Sequence, residues 1–459
     1  MRSVLRLFKL LAAFLLFVIA GGAVWIFVKP PELLRVGDGY AAKTVCSNVF
    51  MAGRNPQAVL SDDVQAPGNP LLRLVRVSVD HDEGRVTARM LGVFAPGYAL
   101  YRGAFGCSSV PDGNFEAAAN VVSDEARQPV EENDAPWPEG EGVAAANDGK
   151  IASLLGEPAL AGPSMRGLVV VHNGRVVGEA YGDGFGPKTP LIGWSMTKTV
   201  NAAIIGRLML DNKIAFDDTD LLPQWKNDDR SQIKLSDLLG MESGLAFNEN
   251  YGAVADVTRM LYLDPDMVSL PANAPLEAKP ETRFHYSSGT AVLLSRIWMD
   301  RIGNAQTALA YPREALFGPL GMSSAVFEID ARGTFAGSSY LYATARDWAR
   351  FGQFLLQDGV WNGQRLLPEG FVGAIRTPTA ASKGDYTQAQ AWLAAPGGQT
   401  SAQAGLPDDV FWLEGHDGQS VAIVPSANLV FVRLGLTPVR FGYKPQVLLK
   451  QILAALPRQ

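Results

Sequence analysis

The alternation of apolar and polar positions divides the chain into four stretches of different character. From Leu10 to Val28 the residues are apolar or small without a charge, a run long enough to cross a bilayer as a helix. The stretch 30–113 reads as strand-rich. Leu72 to Val79 alternates apolar with polar residues, His81-Asp82-Glu83-Gly84 supplies turn chemistry, and Arg85 to Leu91 continues the strand pattern. Between Ser123 and Lys150 the chain becomes acidic and carries Pro129, Pro136, Pro138 and several glycines, a linker or an extended strap. From 151 onward the pattern is that of a packed core. Gly167–Val171 and Arg175–Tyr181 flank the turn His172-Asn173-Gly174 as a hairpin, and Val200, Ala203, Ile204 and Leu208 fall at helical spacing within Ser195–Leu210. Further helices are predicted around Ser236–Leu239, Thr290–Asp300 and Ala345–Gln357. Strands are predicted at Val410–Leu413, Ser420–Val424 and Leu429–Leu434, and an amphipathic helix over Gln446–Leu456. Strands at both ends with helices between them predict an α+β domain over 151–459, an antiparallel sheet flanked by helices beside an all-helical part.

Charge placement gives the first run an address. Arg2, Arg6 and Lys9 precede it, so the N-terminus is expected in the cytoplasm and everything after Lys29 outside, anchored at the inner membrane and facing the periplasm. The rival is a signal peptide cleaved near Ala20-Gly21-Gly22-Ala23, which would release the protein to the periplasm. Trp25-Ile26-Phe27-Val28 carries the apolar run past that point and favours the anchor. Cys46 and Cys107 could pair as a structural disulfide in such a compartment, two separate buried thiols being the alternative. With 46 acidic and 40 basic residues there is no basic surplus to hold a nucleic acid. The four histidines (His81, His172, His285, His416) lie far apart without a His-Glu-x-x-His pair, so no metal site is expected. No Gly-x-Ser-x-Gly occurs, which argues against a nucleophile elbow.

Candidate chemistry centres on Trp194-Ser195-Met196-Thr197-Lys198. A serine hydroxyl needs a base before it attacks a carbonyl, and residues three apart on a helix share a face, so Lys198 can reach Ser195. A helix start also favours an anionic oxygen and leaves backbone N–H groups to donate to it. Lysine serves as base only when burial or a nearby cation holds it neutral. The spacing alone is weak, because Ser231-Gln232-Ile233-Lys234 repeats it after the charged run Asp228-Asp229-Arg230. Only the first copy has a hairpin before it and an apolar helix behind.

Two further segments complete a pattern. Tyr286-Ser287-Ser288 and His416-Asp417-Gly418 follow Ser195 and Lys198 in the order and setting of Tyr-x-Asn and Lys-Thr-Gly. Over roughly 167–459 the chain resembles the serine β-lactamase and penicillin-binding protein superfamily, nearest its class C-like branch of esterases, D-amino-acid peptidases and 6-aminohexanoate-dimer hydrolases. Ser243-Gly244-Leu245 after a short helix is also as in many relatives. The resemblance implies a serine β-lactamase-like fold, no cofactor, an acyl-enzyme on Ser195, and Lys198 with Tyr286 as the proton-transfer pair. It further implies that Gln419 gives the second oxyanion N–H after that of Ser195, with Gly418 letting substrate approach the backbone. Tyr251 falls where relatives carry a substrate-facing loop.

Departures from the pattern bear on substrate. His416 stands where a lysine helps hold a β-lactam carboxylate, Asp417 adds negative charge, and Ser288 replaces an asparagine amide. These changes point to a small-molecule or peptide amide or ester, neutral or cationic, as substrate. A cell-wall D,D-peptidase or weak β-lactamase is the first alternative, and a non-catalytic binding or sensor module the second. His285, next to Tyr286, is expected to face away from it.

Overall fold

The computed structural model describes residues 2–121, 134–143 and 149–456. The expected linker at 123–150 falls largely outside the described residues. The rest forms two compact units: residues 1–101, 107–115 and 250–265 make the first, and 102–106, 116–249 and 266–459 the second.

In the first unit, helix α1 (Arg2–Val28) leads through Lys29 and two prolines into α2 (Glu32–Ala52). Helix α2 packs on a four-stranded antiparallel sheet of β1 (Val75–Asp80), β2 (Arg85–Met90), β3 (Phe94–Tyr101) and β4 (Cys107–Ser109). The expected strand-rich extension holds this four-stranded sheet, and the 21 residues of α2 are an addition that the sequence pattern did not show. The apolar stripe of α2 is diluted by Asp38, Lys43, Ser47 and Asn48, all buried, so its sequence carries little helical periodicity. Each of these finds a polar partner: Asp38 accepts the Met90 N–H at 2.8 Å, and Lys43 donates to Ser47 at 2.9 Å. Cys46 and Cys107 form a disulfide that ties α2 to β4. Asp256–Tyr262, inside the sequence of the expected hydrolase domain, is a helix of this first unit and packs on α2.

The second unit is built on a five-stranded antiparallel sheet. Its strands are β5 (Met165–His172), β6 (Arg175–Tyr181), β7 (Phe411–Gly415), β8 (Gln419–Val424) and β9 (Leu429–Gly435), in the order β7-β8-β9-β5-β6. The first two strands of this unit therefore share one sheet with its last three, β9 pairing to β5. One face is covered by the helix Pro445–Ala455 with Gly149–Leu155, which bury Leu168, Trp412, Ala422 and Phe431. The other face takes the helix Ala345–Leu356, where Gly352 lets Val421 and Val430 come close. Beyond the sheet lies a helical part, in which α3 (Thr197–Leu210) packs on α4 (Ser288–Ile302). Residues 134–143 lie along this unit as a strap: Arg350, itself buried, donates to the Gly140 carbonyl at 2.7 Å, and Trp137 is buried.

Candidate active site

Ser195 sits in a single 3-10 turn, Trp194–Met196, immediately before α3. The helix itself begins at Thr197, two residues later than the apolar spacing implied. Trp194 holds φ 47°, a left-handed conformation that a tryptophan adopts only under constraint, and it is buried. Two glycines make room for that constraint. A Cβ on Gly193 would stand 2.2 Å from the Trp348 ring, and one on Gly415 would stand 2.2 Å from the Gly193 carbonyl oxygen. The end of edge strand β7 is thus pressed against the turn that carries the serine.

Lys198 follows three residues after Ser195 as the second residue of α3, with its side chain buried to 1% exposure. Its Nζ lies 3.0 Å from Ser195 Oγ, 3.2 Å from Ser288 Oγ and 3.0 Å from the Ser338 carbonyl oxygen. The Tyr286 ring centroid is 4.7 Å from the same Nζ. An ammonium has three N–H groups, and three oxygens receive them. Burial pulls the Lys198 amine down to about 8, against an opposing pull from the Glu249 carboxylate. A substantial neutral fraction is therefore present near pH 8.

The acceptors around Lys198 are fixed from behind. Asn201, one turn further along α3, is buried, donates to the Ala291 carbonyl at 2.9 Å and accepts from Trp298 Nε1 at 2.9 Å, which locks α3 to α4. Gly337 passes so close to this knot that a Cβ there would lie 2.4 Å from Asn201 Nδ2, and the next residue is Ser338. Ser288 opens α4, and its backbone N–H donates to Glu249 Oε2 at 2.8 Å while its hydroxyl donates to Glu249 Oε1 at 2.5 Å. The carboxylate thereby caps the positive end of α4. Gly289 clears space for Phe247, whose ring a Cβ would approach to 2.5 Å, and so seats the loop bearing Glu249.

Glu249 is the site residue that sequence reasoning missed. It lies in Phe247-Asn248-Glu249-Asn250-Tyr251, a loop singled out for Tyr251 instead. An unexplained acidic residue just after Ser243-Gly244-Leu245 was the available signal. Tyr251 belongs to the segment 250–265, which is part of the first unit.

Tyr286 is half-buried among Tyr386 and Trp392, with ring centroids at 5.8 and 5.4 Å. Its neighbour His285 is held elsewhere, between Arg283 at 2.7 Å and the Phe247 carbonyl at 2.8 Å. His416-Asp417-Gly418 forms the tight turn leaving edge strand β7 for β8. Asp417 and Gly418 take φ 56° and 83° there, the left-handed region that lets three residues reverse the chain. His416 Nε2 lies 3.5 Å from Asp417 Oδ1, and the imidazole packs edge-on to Trp194 at 5.6 Å. Burial pushes the Asp417 carboxyl up, offset by His416, Arg440 and Arg166. The side chain of Gln419 turns inward, where Oε1 accepts the Gly435 N–H at 2.9 Å and Nε2 donates to the His416 carbonyl at 3.2 Å. Buried Arg433 braces the same turn through the Gly418 carbonyl at 3.0 Å. Ser195, Lys198, Tyr286 and Ser288 are thus brought together, and the 416–419 turn reaches Ser195 through Trp194 and Gly415.

Comparison with known proteins bears on this arrangement. The Beta-lactamase family model matches residues 151–438, well over half of the chain. The chain belongs to the beta-lactamase family. A Bacillus anthracis protein assigned to the 6-aminohexanoate-dimer hydrolases is 25% identical, with a TM-score of 0.54 over 64% of this chain and 81% of that one. A penicillin-binding protein from Bacillus halodurans is 18% identical, with a TM-score of 0.52 over 67% of this chain and all of that one. EstCE1, a hydrolase with promiscuous acyltransferase activity, is 16% identical, with a TM-score of 0.53 over 67% of this chain and 98% of that one. The last two likenesses concern the fold. An uncharacterized protein of Alkalihalophilus pseudofirmus is 30% identical over 98 residues, which is 20% of this chain and 29% of that relative's length. The beta-lactamase-family region of the chain is accordingly a hydrolase fold.

Proposed function

We propose that the chain is a membrane-anchored serine hydrolase that cleaves an amide or ester through an acyl-enzyme on Ser195. The observation that carries this reading is the buried Lys198 Nζ, 3.0 Å from Ser195 Oγ and drawn down to about 8. Neutral Lys198 takes the hydroxyl proton as Oγ bonds to the acyl carbon. The backbone N–H groups of Ser195 and Gln419 receive the carbonyl oxygen as it gains charge, a contribution of about 3–4 kcal/mol per donor in comparable sites. The Tyr286 phenol helps pass the proton to the departing nitrogen or oxygen, which leaves as amine or alcohol. Water then adds to the acyl carbon, gives up a proton along the same route, and releases the acid and free Ser195. Glu249 holds Ser288, and Ser288 in turn holds Lys198 Nζ.

Substrate preference follows from charge. The place of a carboxylate-holding lysine is taken by His416, and Asp417 and Glu249 add acidic groups near the serine turn and Lys198, so a neutral or cationic amide, peptide or ester fits better than an anionic β-lactam. Gly418 is read as the point where substrate nears backbone. On this reading α1 stays uncleaved as an inner-membrane anchor and the catalytic domain faces the extracytoplasmic side.

The test is turnover of nitrophenyl esters, anilides and D-peptides by the purified full chain, beside labelling with a fluorescent penicillin. Ester or amide hydrolysis that disappears in Ser195→Ala is expected. Efficient penicillin labelling with no ester or amide turnover would move the reading to a D,D-peptidase or weak β-lactamase. Turnover unchanged by the substitution would end the catalytic reading.

A further inference from the structure

At one end of the first unit a group of large apolar side chains stays about half exposed. Its position follows from the path of α2. Asp38 meets Met90, and a Cβ on Gly97 would collide with the Asp38 backbone, so this turn of α2 lies on the middle of the β2–β3 pair. Eight residues later Cys46 is bonded to Cys107, which pairs with Tyr101. Helix α2 and strand β3 therefore advance together, and the start of α2 lies toward Phe94 and the 91–93 turn. Helix α1 ends four residues before Glu32 and contacts β3, so it emerges at that same end. The turn at Pro70–Leu74 is there too, because the Leu91 N–H donates to the Leu74 carbonyl at 2.9 Å.

At this end Leu33, Leu71, Leu74, Leu91 and Val93 are 46, 43, 39, 56 and 52% exposed. Leu91 also takes φ 53°, a left-handed conformation unfavourable for a side chain with a Cβ. The tip thus places a strained leucine in the open, where a polar or glycine residue would serve a mere turn better. Charge is arranged to match. Lys29, Arg73 and Arg76 are exposed, and neither 66–79 nor 88–100 contains an acidic residue. Glu32, the acidic residue at the start of α2, is paired with Arg259 at 2.5 Å. The opposite turn of the same sheet, 81–84, is polar and exposes Asp82 and Glu83.

We propose that this end of the first unit seats on the bilayer surface beside the anchor. Leu71, Leu74, Leu91 and Val93 enter the boundary between headgroups and acyl chains, while Lys29, Arg73 and Arg76 face anionic headgroups. The proposal rests on the reading of α1 as an uncleaved anchor. It gives the extension a task that α1 alone does not perform, namely fixing the tilt of the unit on the membrane.

The test uses the full chain in vesicles of phosphatidylcholine with about a third phosphatidylglycerol, a fraction chosen to supply the negative surface. The native cysteines are occupied by their disulfide, so Leu91→Cys, Val93→Cys and Asp82→Cys each take a single environment-sensitive fluorophore. Blue-shifted emission and severalfold stronger quenching by headgroup-proximal spin-labelled lipid are expected at 91 and 93 relative to 82. A chain that floats with the vesicles yet is quenched equally at all three positions overturns the proposal and leaves the anchor standing. A chain that does not float overturns the anchor reading, and this proposal with it.

Discussion

The second unit contains the same four-residue spacing twice, with opposite outcomes. At Ser195 and Lys198 the lysine is 1% exposed, its nitrogen held by three oxygens and drawn down to about 8. At Ser231 and Lys234 the lysine is 41% exposed and paired with Glu281 at 2.8 Å, which pushes its amine up. Ser231 lies in a 3-10 turn whose N-cap, Asp228, is bound up with Arg230. Spacing brings a hydroxyl and an amine within reach of each other. Desolvation decides whether the amine can give up its proton, and only the first copy is buried.

The comparison is broken most severely at Lys198. Lys198→Met should lower kcat/KM for an ester by ~10²–10⁴, the range for losing a positioned base. An effect below tenfold would mean that another group removes the Ser195 proton. Gly337→Ala acts on the frame instead. Its Cβ would press on Asn201 and Ser295 and shift the Ser338 carbonyl away from Lys198. A loss of ~1–3 kcal/mol in urea unfolding is expected, with a drop in kcat alongside. An unaltered Ser338–Lys198 contact in a crystal of that variant would contradict the account.

Subtler is the pH profile. Below pH 8 Lys198 is mostly ammonium and lacks the lone pair the reaction needs, so kcat/KM should rise with pH and level off above about 8. Glu249 pulls that value upward, so Glu249→Gln should move the rising limb to lower pH. A limb that stays in place would deny Glu249 any electrostatic hold on Lys198. Smallest of all is Lys234→Met. Activity within about twofold and Tm within about one degree are expected, because exposed pairs contribute little.

Much of this contrast was legible in the chain. The hairpin at 165–181 and the last three strands are apolar runs bounded by turn residues, α3 is an apolar run buried nearly all round, and the order of Ser195, Tyr286 and His416 separates the two lysine copies within the sequence itself. Helix α2 was not legible, because its buried face is polar and small, satisfied by partners distant in sequence such as Met90. Residues 250–265 read as hydrolase core since nothing in their composition marks them as belonging to the first unit. Glu249 stayed hidden because its partner, Ser288, lies 39 residues away on a helix start that no local pattern links to it.

The most direct measurement is labelling of the purified full chain with a fluorophosphonate probe, followed by peptide mapping. The account predicts a single covalent adduct on Ser195, absent in Ser195→Ala and slowed in Lys198→Met, with the peptide carrying Ser231 unmodified. Labelling of Ser231, or of neither serine, would contradict it.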